Sequence, residues 1–259
     1  MLLAIDIGNT NSGFSLHDGT RFIAAWRCAT KPEQTADEYF VWLSNLMNYM
    51  SSPIPPRSID RVVVSAVVPQ VLFNIRVLCG RYFECRPLVV GKPECRLGID
   101  IRVDSETEVG ADRIVNTVGA FDRYGGDLIV VDFGTATTFD VVDSDGAYIG
   151  GVIAPGVNLS MRALHQAAAA LPRIDVGIPE RVVGTNTVAC MRAGVFWGYV
   201  GLIGGICSKI QEERQRKMKV IGTGGLAGLF ERGTDVFDEI DGDLTMHGLY
   251  LIDAFNRDG

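Results

Sequence analysis

Apolar and polar positions along the chain fall into two periods. Leu2 to Ile7 is a nearly continuous apolar run and predicts a buried strand. Ser12 to His17 alternates, Asp18-Gly19 signals a turn, and Arg21 to Arg27 predicts a third strand. From Ala36 to Met50 the period changes. Tyr39, Phe40, Leu43, Leu46 and Met47 recur at helical spacing. Ser51 to Pro56 reads as a prolyl loop, Arg61 to Ala66 as a buried β-branched strand, Pro69 to Tyr82 as a helix and Leu88 to Val90 as a short strand. Gly91 to Val109 has no clean period and reads as a loop-like ligand rim. A helix from Gly110 to Tyr124 stops at Gly125-Gly126.

The second half repeats the opening. Strands are predicted over Leu128 to Val131, Thr137 to Val142 and Tyr148 to Val152, with a turn at Asp145-Gly146. Pro155-Gly156 leads into a helix through Ala170, and Thr187 to Arg214 reads as a long helix. Glycines 194, 198, 201, 204 and 205 cost that helix propensity, so close packing is the plain reason for them. Lys219 to Gly222 reads as a strand, Gly225 to Phe230 as a short helix and Met246 to Phe255 as the last helix.

Self-similarity is the strongest clue. Asp6-Ile7-Gly8-Asn9-Thr10 is followed by a strand and Asp18-Gly19. Asp132-Phe133-Gly134-Thr135-Ala136 is followed by a strand and Asp145-Gly146. Asp6 and Asp132 stand 126 residues apart. A period near half the chain predicts two related α/β units. In each copy a strand ends at an acid, glycine permits close approach of a phosphate, and Asn or Thr adds side-chain donors. The acids are candidates to hold Mg²⁺, its waters or another cation that offsets phosphate charge. The plainer alternative is that Asp6 and Asp132 cap turns.

Composition narrows the chemistry. The 259 residues are 47% hydrophobic and 21% charged, a globular balance that fits one large domain or two modest ones. The net charge of −7 and the lack of a basic, aromatic-laced stretch disfavour a nucleic-acid partner. The start carries Asp6 and no signal-peptide pattern, and no apolar run reaches about 18 residues. Those features predict neither secretion nor a membrane span. Six cysteines without a CxxC pair predict reduced thiols in a cytoplasmic protein. His17, His165 and His247 lack zinc spacing. There is no P-loop and no GxGxxG, and Thr223-Gly224-Gly225 between a strand and a helix is a weak nucleotide signal on its own.

Glu108-Val109-Gly110-Ala111-Asp112-Arg113 opens a predicted helix. Asp112 is the candidate general base, and Arg113 a candidate clamp for a substrate carboxylate. The alternative is an acid that satisfies helix amides beside a surface ion pair. Thr187 is either a substrate contact or a helix cap, and Arg162 and Arg192 lie on helical segments.

These residues resemble the type III pantothenate kinases, of the acetate kinase, sugar kinase, Hsp70 and actin superfamily. The resemblance rests on DIGNT at Asp6 to Thr10, EVGADR at Glu108 to Arg113, DFGTATTFD at Asp132 to Asp140 and GGVIAPG at Gly150 to Gly156. It continues with Leu171-Pro172, Asn186-Thr187 and TGGLA at Thr223 to Ala227. It implies an α/β fold of two ribonuclease H-like lobes with mixed sheets flanked by helices, an actin-like duplication, with lobes over 1–117 and 118–259. It implies a cytoplasmic homodimer that uses ATP, Mg²⁺ and K⁺ or NH₄⁺ to phosphorylate pantothenate, the first step of coenzyme A biosynthesis.

On this sequence the resemblance makes Asp6, Ile7, Gly8, Asn9, Thr10, Asn11, Ser12 and Gly13 the first phosphate-binding element, with Thr135 a nucleotide contact. It makes Asp112 the proton acceptor, Gly110, Ala111, Asp112 and Arg113 the pantothenate stretch, Thr187 a further pantothenate contact and Asp132 the monovalent-cation ligand. The chain departs from the family at three places. Arg102-Val103-Asp104-Ser105-Glu106 replaces an aromatic and Asn-Pro pair, Arg192 replaces a frequent glutamine, and Gly204 a frequent glutamate. Rival readings are a sugar or carboxylate kinase of the same superfamily, and a catalytically weak regulatory protein retaining the fold.

Overall fold

A computed structural model describes residues 1–105, 108–167 and 171–257. Glu106 of the altered rim and Ala170, the expected end of the fourth helix, lie outside the described residues. The chain forms two compact units. One holds Met1–Gly98, Ser105–Gly119 and Thr245–Gly259, and the other Ile99–Asp104 and Ala120–Leu244. A single cut after residue 117 does not describe this, because the C-terminal segment returns to the first unit.

In the first unit β1 (Leu2–Ile7), β2 (Asn11–His17) and β3 (Phe22–Ala29) form an antiparallel meander. Helix α1 (Ala36–Asn48) follows, then β4 (Arg61–Ala66), α2 (Pro69–Leu78) and β5 (Leu88–Val89). β4 lies parallel to β1, giving the strand order β3-β2-β1-β4-β5. Thr35 and Glu38 close a capping box on α1, each accepting the other's backbone N–H, so the helix starts where the sequence changes period. Its Tyr39, Leu43 and Met47 stripe packs on Ile5, Phe14 and Val64 from the sheet. The expected helix to Tyr82 is α2 plus a wider turn over Cys79–Phe83, ended by Glu84 in the left-handed region.

The second unit has the same plan. β6 (Leu128–Phe133), β7 (Ala136–Val142) and β8 (Tyr148–Pro155) form a meander, and β9 (Lys219–Gly224) lies parallel to β6. β10 (Glu239–Ile240) completes the order β10-β9-β6-β7-β8. Both meanders carry a register shift just before the second turn, at Leu16/His17 and at Val141/Val142. Helix α3 (Ala111–Tyr124) precedes this sheet. α4 (Val157–Ala167), α5 (Thr187–Arg214) and the short α6 (Ala227–Phe230) accompany it, and α7 (Leu244–Phe255) closes the chain.

α5 has the extent predicted from sequence. Phe196, Tyr199, Ile203 and Cys207 bury one of its faces against Ile129, Val131 and Phe230. Among the described residues it is also the one helix long and apolar enough to cross a membrane by length and composition, with a third of its most apolar window buried. A core helix passes the same test. All six cysteines are free thiols.

Candidate functional site

In the first unit the site begins where β1 ends. Asp6 pairs with Gly13 across the antiparallel register and with Ser65 across the parallel one. The turn between β1 and β2 is held from behind. Gly8 donates its N–H to the Asn11 carbonyl at 3.1 Å, and Thr30 gives its hydroxyl to the Gly8 carbonyl at 2.7 Å. Ser12 meets the same Thr30 hydroxyl at 2.9 Å. Ile7 and Ser12 are buried, while Asn9, Thr10 and Asn11 are exposed. The hairpin thus offers polar groups outward on a fixed backbone.

The Asp6 Oδ1 atom is buried without a hydrogen-bond partner. Burial and, second, the charge of Asp112 push its carboxyl up to about 6; Ser65 and Arg27 oppose the rise. The helix-start acid and the hairpin acid, 106 positions apart in sequence, therefore sense one another in the fold.

Asp112 stands in the first turn of α3. Its Oδ1 accepts the Arg113 N–H at 2.9 Å, and a Cβ on Gly110 would come within 2.6 Å of that oxygen. Glycine at 110 is what lets the carboxylate fold over the helix start. The acid satisfies a helix amide, as the plainer reading of the sequence held, and still lies near Asp6. Behind it, α7 packs closely on α3. Gly248 faces the Val115 carbonyl where any Cβ would collide, and Thr245 donates to Asn116 Oδ1 at 2.7 Å. Met246 lies against Gly13, under the hairpin.

The second unit repeats the arrangement. Asp132 pairs with Thr138 and, across the parallel register, with Thr223. Gly134 donates to the Ala136 carbonyl at 3.0 Å, a tighter turn than the first by one residue. Two glycines close around it. Gly224, at φ +86°, lies so close to Asp132 Oδ1 and the Phe133 backbone that no Cβ fits there, and Gly156 lies directly against the Thr135 carbonyl. Thr135 is exposed.

Thr187 begins α5, but Asn186 is its cap. The Asn186 side chain accepts the Ala189 N–H at 2.9 Å, and the exposed Thr187 is left to other contacts. Beside it lies a cavity of about 430 Å³ lined by Arg181, Thr185, Asn186 and Arg192 among others. The Arg192 Nε is buried there without a partner.

The sequence matches the family model for type III pantothenate kinase over residues 2–209. A type III pantothenate kinase of Dinoroseobacter shibae is 63% identical over 258 residues, covering 100% of both chains. Another from Paracoccus denitrificans is 61% identical, covering 100% of this chain and 98% of that one. This chain belongs to the type III pantothenate kinase family. Solved structures agree at the level of fold. A Baf family protein of Campylobacter jejuni superposes with a TM-score of 0.61 at 18% identity, covering 99% of this chain and 100% of that one. A ROK family glucokinase of Streptomyces griseus, in complex with glucose and AMPPNP, reaches 0.54 at 10% identity, covering 100% and 99%.

For a type III pantothenate kinase the residues sort cleanly by unit. Asp6 to Gly13 and Gly110 to Arg113 lie in the first, and Asp132, Thr135 and Thr187 in the second. Sequence reasoning passed over Ser65, the buried hydroxyl beside Asp6. The signal was available in the repeat, since Thr223 of the TGG segment holds the corresponding place beside Asp132. It also passed over Gly248, whose role shows only when α7 meets α3.

Proposed function

We propose that this chain transfers the γ-phosphoryl group of ATP to the primary hydroxyl of pantothenate, giving 4'-phosphopantothenate, the first step of coenzyme A biosynthesis. The observation that carries this reading is the full-length identity of 63% to a type III pantothenate kinase. The proximity of Asp112 to Asp6 supports it.

In the proposed reaction Asp112 accepts the hydroxyl proton as the hydroxyl oxygen attacks the γ-phosphorus, and ADP leaves. The helix amide bonded to Asp112 holds the carboxylate in one orientation. Arg113 serves the pantothenate carboxylate, with Gly110 and Ala111 leaving room for the substrate and Thr187 adding a contact. The hairpin Asp6 to Gly13 and Thr135 receive the phosphates of ATP.

Asp6 fits a Mg²⁺ ion, because a buried, unpartnered carboxylate oxygen favours a cation and Mg²⁺ needs only one or two protein carboxylates. Bound there, the ion would offset the charge of the phosphates. Asp132 is the candidate ligand for a monovalent cation, K⁺ or NH₄⁺, because its carboxylate lies near the end of β6 at the place Asp6 takes in β1, with Thr223 beside it as Ser65 is beside Asp6.

The two units share one ancestral plan of ribonuclease H-like lobes, in this reading. Equal strand order, matched bulges and matched acid–hydroxyl pairs support a duplication. The protein works in the cytoplasm as a homodimer. The exposed Trp197 and the glycines at 194, 198 and 201, which have open space before them, support a protein partner for the outer face of α5.

The test is product analysis. Protein, ATP, Mg²⁺ and KCl are incubated with pantothenate, a hexose panel or acetate, and products are identified by mass spectrometry. Phosphopantothenate alone is expected. A phosphorylated hexose or acetate in its place would give the assignment to a rival kinase, and no product at all to a regulatory protein.

A further inference from the structure

At the end of the first sheet opposite Asp6 lies a cavity of about 450 Å³. β4 enters it with Arg61, five residues before the Ala66 end that flanks Ile7. Arg86, just before β5, and Arg257, just after α7, complete a triad of guanidinium groups. The carboxylates lining it are Asp60 and Asp253. Asp60 Oδ1 is shared between the Met1 ammonium at 2.9 Å and Arg61 Nε at 3.5 Å. Among the described residues four cations thus meet two anions, in a chain whose net charge is −7.

Asp253 orients two of the three guanidinium groups. Its side chain is only 7% exposed, and one oxygen, Oδ2, receives Arg61 Nη1 at 3.2 Å and Arg257 Nη2 at 2.8 Å and Nε at 2.9 Å. A guanidinium carries five N–H donors, so each arginine keeps donors for a further acceptor. The Arg257 guanidinium is steadied over the Tyr250 ring at 5.5 Å. Arg86 makes no ion pair among the described residues. The His17 imidazole is held below its ordinary value, by burial first, with Arg257 and Arg61 adding to the effect against Asp18 and Asp253.

We infer that this cavity is a second anion site, which takes a small dianion of the phosphate class between Arg86, Arg257 and Arg61. Planar guanidinium forks match tetrahedral oxyanions in pairs, and an arginine without a partner beside two oriented ones is the arrangement such an ion requires. The site is separate from the phosphate hairpin, since it lies at the other end of β1 and β4. It is nevertheless connected to it. α7 carries Asp253 toward this cavity and Met246 against Gly13. The occupant is either free phosphate or the phosphate group of a small monoester.

Isothermal titration of inorganic phosphate into the full chain tests this, with the kinase site saturated by a non-hydrolysable ATP analogue and pantothenate. One phosphate per chain is expected. Arg86→Ala, on the surface and unpaired, should keep the wild-type melting temperature and kinase turnover yet weaken phosphate about tenfold to a hundredfold. A parallel titration with glycerol phosphate separates the two sources. Tighter binding of the ester marks an organic phosphate as the ligand, and equal or weaker binding marks the free ion. No saturable binding in the wild type, or equal phosphate affinity in Arg86→Ala, would overturn the site.

Discussion

Asp6 holds its proton nearer to neutrality than a free aspartate does, and this has a consequence for stability. Its ordinary value is 3.8 and its value in the fold about 6. Between these the folded chain keeps a proton that the unfolded chain has released. Stability therefore declines as pH rises from 3.8 to 6 and stays lower above. Asp6→Asn removes the cost. Without Mg²⁺ the variant should be more stable than wild type at pH 7.5, by on the order of 2–3 kcal/mol, with no difference below pH 3.8. Thermal unfolding across pH measures this, and Mg²⁺ should then raise the wild-type midpoint only. A variant less stable than wild type at pH 7.5 would mean the buried carboxylate is already compensated. At Gly224 the expected effect is on chemistry. Gly224→Ala adds a Cβ at φ +86° against Asp132, so monovalent-cation activation should fall at least about tenfold, read from rates in KCl and NaCl.

Elements explain what could be read in advance. The D-x-G hairpins were legible because a strand pattern, a turn residue and a second strand coincide twice. α5 was legible because a long helical pattern runs from Thr187 to Arg214 in spite of its glycines. β10, two residues long, has no period to detect. The π-turn after α2 preserves helical spacing and hides in it. The cap of α5 was misplaced for a similar reason, since Asn186 and Thr187 are both good caps and only the bond to Ala189 separates them. Asn186→Ala should cost about 1 kcal/mol in urea unfolding, and Thr187→Ala much less. Gly248 belongs to contacts that no local pattern encodes. Gly248→Ala forces α7 away from the Val115 carbonyl and should cost about 1–3 kcal/mol in the same assay.

For the whole molecule the repeat conveyed the plan of each unit, and the return of the C-terminus did not show. α7 is adjacent to the second unit in sequence, yet its residues from Thr245 onward compact with the first. Nothing in its composition announces that choice; the tight contact of Gly248 with α3 makes it. The acids of the site show the same division. Asp6 and Asp112 come together within one unit by folding, whereas their motifs indicated only that each suits phosphate chemistry. The measurement that tests the central assignment most directly is steady-state, pantothenate-dependent ADP release by wild type and Asp112→Asn, with ATP affinity measured alongside. Turnover in Asp112→Asn should fall by about 10² or more with ATP affinity unchanged. Near wild-type turnover in that variant would contradict the assignment of Asp112 as the base.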